Sequence, residues 1–306
     1  MLNYSTNPSG MQLEKKTNRR IFVKGLALLT GASLAPGFPF AGGNDLKMKL
    51  GLVTYLWGKD WDVPTIIKNC SAAKIYGVEL RTEHKHGVEP SISIARRNEV
   101  KKMFADSPVK IVGLGTNQQY DFVDPDQLKK SIEQTKEFIK LGKDIGGEGV
   151  KVKPNAFHKE VPHEKTIEQI GKSLNEVGTF AADYGQKIRL EVHGNETQEL
   201  PNIKAIMDIA NHPNVYVCWN SNDEDLLGGG LAQNFNLVKN RLGDTVHVRE
   251  LNLGAYPYQQ LMDLFVTMDY KGWILLECRT DPVDKVKAMI EQNDVFRSMI
   301  AKAQRK

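Results

Sequence analysis

Short apolar segments alternate with longer amphipathic segments along most of the chain. Eight of the short segments have the composition of β-strands, and they begin near Lys49, Gly77, Val109, Gly149, Lys187, Asn214, Thr245 and Trp273. Each is followed by residues with the apolar periodicity of a helix. Alternating strands and helices predict a parallel sheet, and eight units in roughly 260 residues is the size of a single (β/α)8 TIM barrel. A doubly wound sheet is the alternative, but no GxGxxG motif follows the first strand.

The third connection illustrates how the sequence marks the limits of a helix. Asp124 and Pro125 predict an N-cap and a first helical residue, and Gln127 completes a capping-box pattern. Gly146 and Gly147 predict the end of this helix. The face expected to cover the sheet consists of Leu128, Ile132, Thr135, Ile139 and Gly142.

The first 41 residues differ from the rest and have the features of an export signal. Polar residues with Lys15 and Lys16 precede NRRIFVKG (18–25) and the apolar stretch GLALLTGASLAPGFPFA (25–41). This order is that of a signal peptide, and Arg19-Arg20 resembles the twin-arginine (Tat) motif. We therefore expect a signal over residues 1–41, a barrel domain over residues 42–306 and a periplasmic or cell-envelope location. The alternative is an unstructured tail that contains two arginines by chance.

Charge and cysteine content exclude several classes of protein. The chain has 41 basic and 37 acidic residues. Residues 1–41 contain five basic residues and one acidic residue, so the rest is neutral and has no overall field to attract nucleic acid or anionic lipid. No later apolar run reaches the roughly 20 residues of a membrane span, so no membrane insertion is expected. Cys70, Cys218 and Cys278 lie far apart, which argues against a disulfide scaffold or a structural zinc site.

Polar residues alternate with apolar residues along several of the predicted strands. In IRLEVHG (188–194), Ile188, Leu190 and Val192 suit the side that faces the helices, so Arg189 and the other polar residues face the barrel axis. Active sites of this fold lie at the C-terminal ends of the strands. The axis-facing residues expected there are Glu83, Lys153, Glu191, His193, Asn220, His247, Arg249, Glu277 and Arg279.

So many ionisable groups around one axis must be paired or bound to a cation. Two carboxylates, a histidine and an amide oxygen suit a divalent ion such as Mn²⁺, Mg²⁺ or Zn²⁺. Internal salt bridges, Glu191 with Arg189 and Glu277 with Arg279, are the alternative. Trp57 and Trp219 either stack on a sugar ring or pack at the barrel mouth.

Four segments resemble the xylose isomerase-like barrel family, which contains sugar isomerases and epimerases, dehydratases and endonuclease IV. They are LEVH (190–193), CWNSND (218–223), VHVRELN (246–252) and GWILLECR (272–279), and the resemblance extends over roughly residues 47–300. It implies a divalent metal ion held by Glu191, Asn220, His247 and Glu277. The family's aspartate is replaced here by Asn220, and its histidine three residues later by Asp223. An amide oxygen binds a divalent ion more weakly than a carboxylate does.

The resemblance implies proton transfer at a carbon next to a carbonyl. Glu191 and Glu277 are expected to remove and return the proton, with Lys153 or His193 polarising the substrate. The residues expected to bind it are Glu83, Arg249, Arg279, Trp57 and Trp219. The predicted function is metal-assisted isomerisation or epimerisation of a small-molecule carbohydrate. A lyase or dehydratase and a catalytically silent sugar-binding barrel are the alternatives. A nuclease would require a basic groove, and the sequence does not indicate one. Assembly into a homo-oligomer is compatible with the sequence.

Overall fold

Eight parallel strands follow one another around a ring in the computed structural model, which describes residues 47–306. The strands are Lys49–Val53, Gly77–Arg81, Lys110–Gln119, Gly149–Lys153, Lys187–Glu191, Val215–Cys218, Thr245–Val248 and Trp273–Leu276. Each begins within one residue of its predicted start, so the predicted (β/α)8 architecture is confirmed. The predicted export signal, residues 1–41, lies outside the described residues.

Eight helices alternate with these strands. They are α1 (Val63–Ala72), α2 (Ile94–Ala105), α3 (Pro125–Ile145), α4 (His163–Asp183), α5 (Leu200–Ile209), α6 (Gly230–Val238), α7 (Tyr258–Thr267) and α8 (Lys285–Ala303). Two 3₁₀ turns, Asp223–Leu226 and Lys239–Arg241, precede and follow α6. No helix within residues 47–306 combines the length and the apolar character that a membrane span requires.

The strands pair in chain order from the sixth back to the first, and the first then pairs with the eighth and the eighth with the seventh. The sixth and seventh strands approach each other through single hydrogen bonds instead of a regular ladder. Gly243 N donates to Val217 O at 2.8 Å, and His247 N donates to Trp219 O at 2.7 Å. This junction completes the ring, so side chains of one parity from all eight strands converge on a common axis.

Helix α3 begins and ends where its capping residues predict. The Asp124 carboxylate accepts a hydrogen bond from Asp126 N at 2.9 Å, and the helix ends at Gly146, whose φ of 80° is in the left-handed region. The Gln127 side chain donates to the Asp124 carboxylate at 3.3 Å. The reciprocal capping box is therefore absent here, because Gln127 bonds to the side chain of the N-cap residue and not to its backbone N–H.

Two apolar regions support the barrel. The larger one lies between strands and helices and contains most of the predicted helix face, including Ile132 and Ile139. The smaller one contains Val53, Val112 and Leu275, with Tyr55 and Trp273 packed against it. These residues come from the first, third and eighth strands and the loop after the first, so this cluster fills the barrel interior as side chains do in this fold.

Candidate active site

A polar cavity of about 90 Å³ lies at the C-terminal ends of the barrel strands. Its lining residues are Tyr55, Arg81, Lys151, Lys153, Glu191, His193, Asn220, Glu277 and Arg279. Six of the residues predicted for the site are among them. Arg81 and Lys151 are not among the predicted site residues, although alternation along the second and fourth strands directs both toward the barrel axis. Tyr55 lies in a loop, where alternation predicts nothing about its side chain.

A larger cavity, about 380 Å³, lies at the opposite end of the barrel. Lys49, Lys110 and Trp273 contribute to its lining, and no carboxylate does so among the residues that the structure describes. The smaller cavity combines carboxylates with basic side chains, and it lies at the end of the barrel where active sites of this fold are found. We therefore place the candidate active site there.

Glu191 is the most heavily contacted carboxylate in this cavity. It is 1% exposed, and Lys151 Nζ donates to its Oε2 at 2.6 Å. Asn220 Nδ2 donates to its Oε1 at 3.1 Å. The neighbouring Thr116 carbonyl accepts a second bond from Lys151 Nζ at 3.3 Å. The buried charge of Glu191 is therefore compensated by groups from the fourth strand and from the end of the sixth.

His247 lies fully buried beside this carboxylate and faces three acidic groups. Its Nδ1 is 3.5 Å from Glu191 Oε1 and 3.9 Å from Glu277 Oε2, while its Nε2 is 3.2 Å from Glu79 Oε1. Neither ring nitrogen has a hydrogen-bond partner of good geometry among the described residues. In metal sites, the histidine ring nitrogen that does not bind the metal usually faces a carboxylate or another acceptor, as Nε2 faces Glu79 here.

The donor atoms of Glu191, His247 and Glu277 lie within 4.8 Å of one another. Buried nitrogen and oxygen donors at this spacing, with Nδ1 unpartnered and directed at two carboxylates, fit a divalent metal ion. Asn220 lies next to the set through its bond to Glu191. Three of the four predicted ligands thus lie close together, while Asn220 directs its amide nitrogen, not its oxygen, toward Glu191.

The surroundings shift the pKa values of Glu191 and Glu277, the two catalytic candidates, in opposite directions. Burial acts to raise the pKa of Glu191, but the Lys151 ammonium and the His247 ring outweigh it and hold this pKa well below its usual range. Burial raises the pKa of Glu277, and although His247 opposes this change, the nearby Glu191 adds to it. Divergent pKa values in a pair of carboxylates are a common feature of acid–base sites.

Basic side chains form the outer part of the cavity. Arg81 and Lys153 share the Asn117 side-chain oxygen, at 2.7 and 3.1 Å. Burial lowers the pKa of Lys153 to about 8, and the Lys151 ammonium acts in the same direction. Glu83 lies exposed at the rim and accepts a bond from Asn117 Nδ2 at 3.2 Å. Its φ of 64° places it in a turn after the second strand, so strand alternation no longer directs its side chain.

The structure corrects the expectation that Trp57 and Trp219 stack on substrate. Trp57 is 2% exposed and its indole N–H donates to Thr280 O at 3.0 Å. Trp219 is fully buried, and its ring centroid lies 5.6 Å from that of Phe235 on α6. It lies between the axis-facing Cys218 and Asn220, so alternation sends it toward the helices. Both rings pack in the core and neither lines the cavity.

Arg249 and Asp223 both lie outside the cavity. Arg249 directly follows Val248, the last residue of the seventh strand, and it is half-buried and absent from the cavity lining. Asp223 begins a 3₁₀ turn and is exposed, so it does not replace the missing aspartate. The alternative salt bridge between Glu191 and Arg189 does not form, because Arg189 Nε pairs with Asp244 Oδ1 at 2.9 Å and Glu191 pairs with Lys151.

Comparison with known proteins agrees with this architecture. Residues 67–299 match the sequence model of a family described as xylose isomerase-like TIM barrel. No curated protein matches the chain significantly. Several solved structures share the fold of this chain at sequence identities between 12 and 15%.

Three solved structures illustrate this similarity. A 3-keto-D-glucoside 4-epimerase from E. coli is 14% identical, with a TM-score of 0.70 over 82% of this chain and 99% of that one. The IOLI protein, solved with a binding zinc atom, is 15% identical, with a TM-score of 0.70 over 84% of this chain and 99% of that one. A probable 3-DHS dehydratase from Bacillus anthracis is 12% identical, with a TM-score of 0.67 over 82% and 99%.

Proposed function

Because the chain belongs to the xylose isomerase-like TIM barrel family, we propose that it is an enzyme that moves a proton at the carbon next to the carbonyl of a sugar or keto-sugar. The observation that carries this proposal is the convergence of Glu191 and Glu277 on one polar cavity, with His247 between them and basic side chains around them. Two positioned carboxylates are the groups that such a transfer requires.

In this proposal one carboxylate removes the proton and the other returns it. Returning it to the opposite face of the same carbon gives epimerisation, and returning it to the neighbouring carbon gives isomerisation. Lys153 and His193 line the same cavity and donate hydrogen bonds to substrate oxygens as negative charge develops there. The Arg279 side chain, which has no hydrogen-bond partner within residues 47–306, orients the substrate.

Glu191, His247 and Glu277 would hold a divalent metal ion, with Asn220 beside them. A bound divalent ion polarises a carbonyl oxygen and stabilises the charge that develops on it. The solved IOLI structure, which contains zinc, supports this part of the proposal. The export signal predicted over residues 1–41 supports a location in the cell envelope.

Elimination from a keto-sugar is the second candidate. Removal of the same proton, followed by loss of a hydroxyl from the next carbon, gives an unsaturated ketone, and Lys153 or His193 would protonate the leaving group. The similarity to the probable 3-DHS dehydratase favours this outcome over a simple binding role.

Exchange of substrate hydrogen with solvent tests both candidates. The full-length protein is incubated in D₂O with a panel of ketoses and 3-keto-glycosides, with and without Mn²⁺ or Zn²⁺, and loss of the proton signal next to the carbonyl is followed by NMR. We expect exchange with at least one substrate, and elimination is recognised by the absorbance of the unsaturated ketone.

Matched variants connect the exchange to the cavity. Glu191→Gln and Glu277→Gln should each slow it by about a hundredfold or more. Glu137→Gln is the control, because Glu137 lies exposed on α3, where it pairs with Lys140. Sugars that bind calorimetrically without any exchange, or equal rates in all variants, would show that the barrel binds carbohydrate without this chemistry.

A further inference from the structure

Lys151 is a buried lysine whose ammonium contacts a proposed metal ligand. It is 1% exposed, its Nζ lies 2.6 Å from Glu191 Oε2, and its second partner is the Thr116 carbonyl. A charge removed from water requires such partners, so this contact holds the ammonium in one place. One oxygen of Glu191 is therefore occupied by a cation that belongs to the chain itself.

Asn220 occupies the other oxygen of the same carboxylate. Its Nδ2 donates to Glu191 Oε1 at 3.1 Å, and the residue is 2% exposed. A metal ion binds an amide only through its oxygen, so Asn220 becomes a ligand only after this hydrogen bond breaks and the amide turns. An aspartate at the same place would add a negative charge to the site, whereas Asn220 adds none.

Both features reduce the attraction of the site for a divalent cation. Glu191 and Glu277 supply the negative charge of the donor set, and the Lys151 ammonium offsets part of it at close range, where charges interact strongly away from water. We propose that Lys151 and Asn220 make this a low-affinity, exchangeable metal site, in which Lys151 holds Glu191 in position when no metal is bound. This inference rests on the metal site of the proposed function.

Lys153 provides a matched control for Lys151. It lines the same cavity from the same strand, but its Nζ donates to Asn117 Oδ1 at 3.1 Å and contacts no proposed ligand. Replacement of either lysine by methionine removes one positive charge and keeps most of the side-chain volume. Only the substitution at Lys151 releases an oxygen of Glu191.

Metal affinity is measured directly by isothermal titration calorimetry with Mn²⁺ and Zn²⁺ on full-length protein stripped with EDTA. We expect Asn220→Asp and Lys151→Met each to bind about ten- to hundredfold more tightly than the wild type, the range typical of changes around metal ligands. Lys153→Met should bind as the wild type does. The rise in melting temperature on adding metal should follow the same order, which provides a readout independent of activity.

Two results would overturn the inference. One is that the wild type binds metal as tightly as Asn220→Asp and Lys151→Met do. The other is that Lys153→Met raises the metal affinity as much as Lys151→Met does. Lys151→Met leaves Glu191 without its buried partner and is checked by circular dichroism; if it does not fold, Asn220→Asp, which keeps the ion pair, decides the outcome. A His247→Gln variant separates the two proposals, because metal binding that it does not weaken lies elsewhere and contradicts the proposed metal site itself.

Discussion

Asp225 offers a test of how burial and charge stabilise the loop next to the cavity. It follows the sixth strand and is fully buried. Tyr256 O–H donates to its Oδ2 at 2.6 Å and Asn222 N at 3.0 Å, while its Oδ1 has no partner among the described residues. Burial, only partly offset by these two hydrogen bonds, raises the pKa of this carboxyl from 3.8 to about 7.

This pKa shift determines both the sign and the size of the effect on stability. The folded protein holds the proton more tightly than the unfolded chain, so the contribution is fully present below about pH 4 and is lost as the pH rises through about 7. Each pKa unit corresponds to about 1.4 kcal/mol, so the whole shift corresponds to about 4 kcal/mol. Roughly half of that, about 2 kcal/mol, falls above pH 5.5.

Asp225→Asn keeps the shape and the acceptor oxygen of the side chain and removes its titration. Urea denaturation at pH 5.5 and pH 8.5 should show the variant gaining about 2 kcal/mol relative to the wild type between these two values. Asp223→Asn is the control, because it makes the same change of charge on an exposed residue two positions away. Equal pH dependence in the two variants would refute the reasoning.

Four further predictions concern other parts of the molecule. Lys153 loses its proton as the pH rises through about 8, so kcat/KM for solvent exchange should fall above that pH. Lys153→Arg, which stays protonated, should move this fall to higher pH. If the fall stays at the same pH in the variant, Lys153 is not the group that causes it. Gly77→Ala would place a methyl group 2.5 Å from the Trp273 ring and should lower the free energy of unfolding by about 1–3 kcal/mol in urea titrations; no loss would mean that the ring can move away. Trp57→Phe removes the bond to Thr280 O and should lower this free energy by about 1 kcal/mol with KM unchanged; a raised KM would restore its predicted sugar-binding role. Replacement of Arg19 and Arg20 by lysines should retain the protein in the cytoplasm on cell fractionation, and unchanged export would refute the twin-arginine prediction.

The local pattern of the sequence was sufficient for the strands and for most of the cavity. In the segment from Ile188 to Glu191, alternate residues face opposite sides whatever the rest of the chain does, because successive side chains of a strand alternate. The same rule would have placed Trp219 among the helices, since its neighbours Cys218 and Asn220 face the axis. Of the two alternatives for Trp219, alternation therefore favours packing over stacking on substrate.

Beyond the last residue of a strand the rule holds at some positions, such as Asn220 and Glu277, and fails at others. Glu83 and Arg249 follow the second and seventh strands, whose last residues are Arg81 and Val248. Neither side chain lines the cavity, and at Glu83 a backbone turn with a φ of 64° is the reason. Strand ends depend on where the neighbouring strands cease to offer hydrogen-bond partners. The sequence of one segment does not contain that information.

By itself the sequence determined the order of strands and helices and the side chains that face the barrel axis, because both follow from periodicities of one segment at a time. Only the tertiary structure decided which of those side chains pair. Lys151 on the fourth strand pairs with Glu191 on the adjacent fifth strand. Arg189 pairs with Asp244, which precedes the seventh strand, and not with Glu191. Such pairings depend on strand register and on distances across the barrel, which arise only when the ring closes and buries its charges.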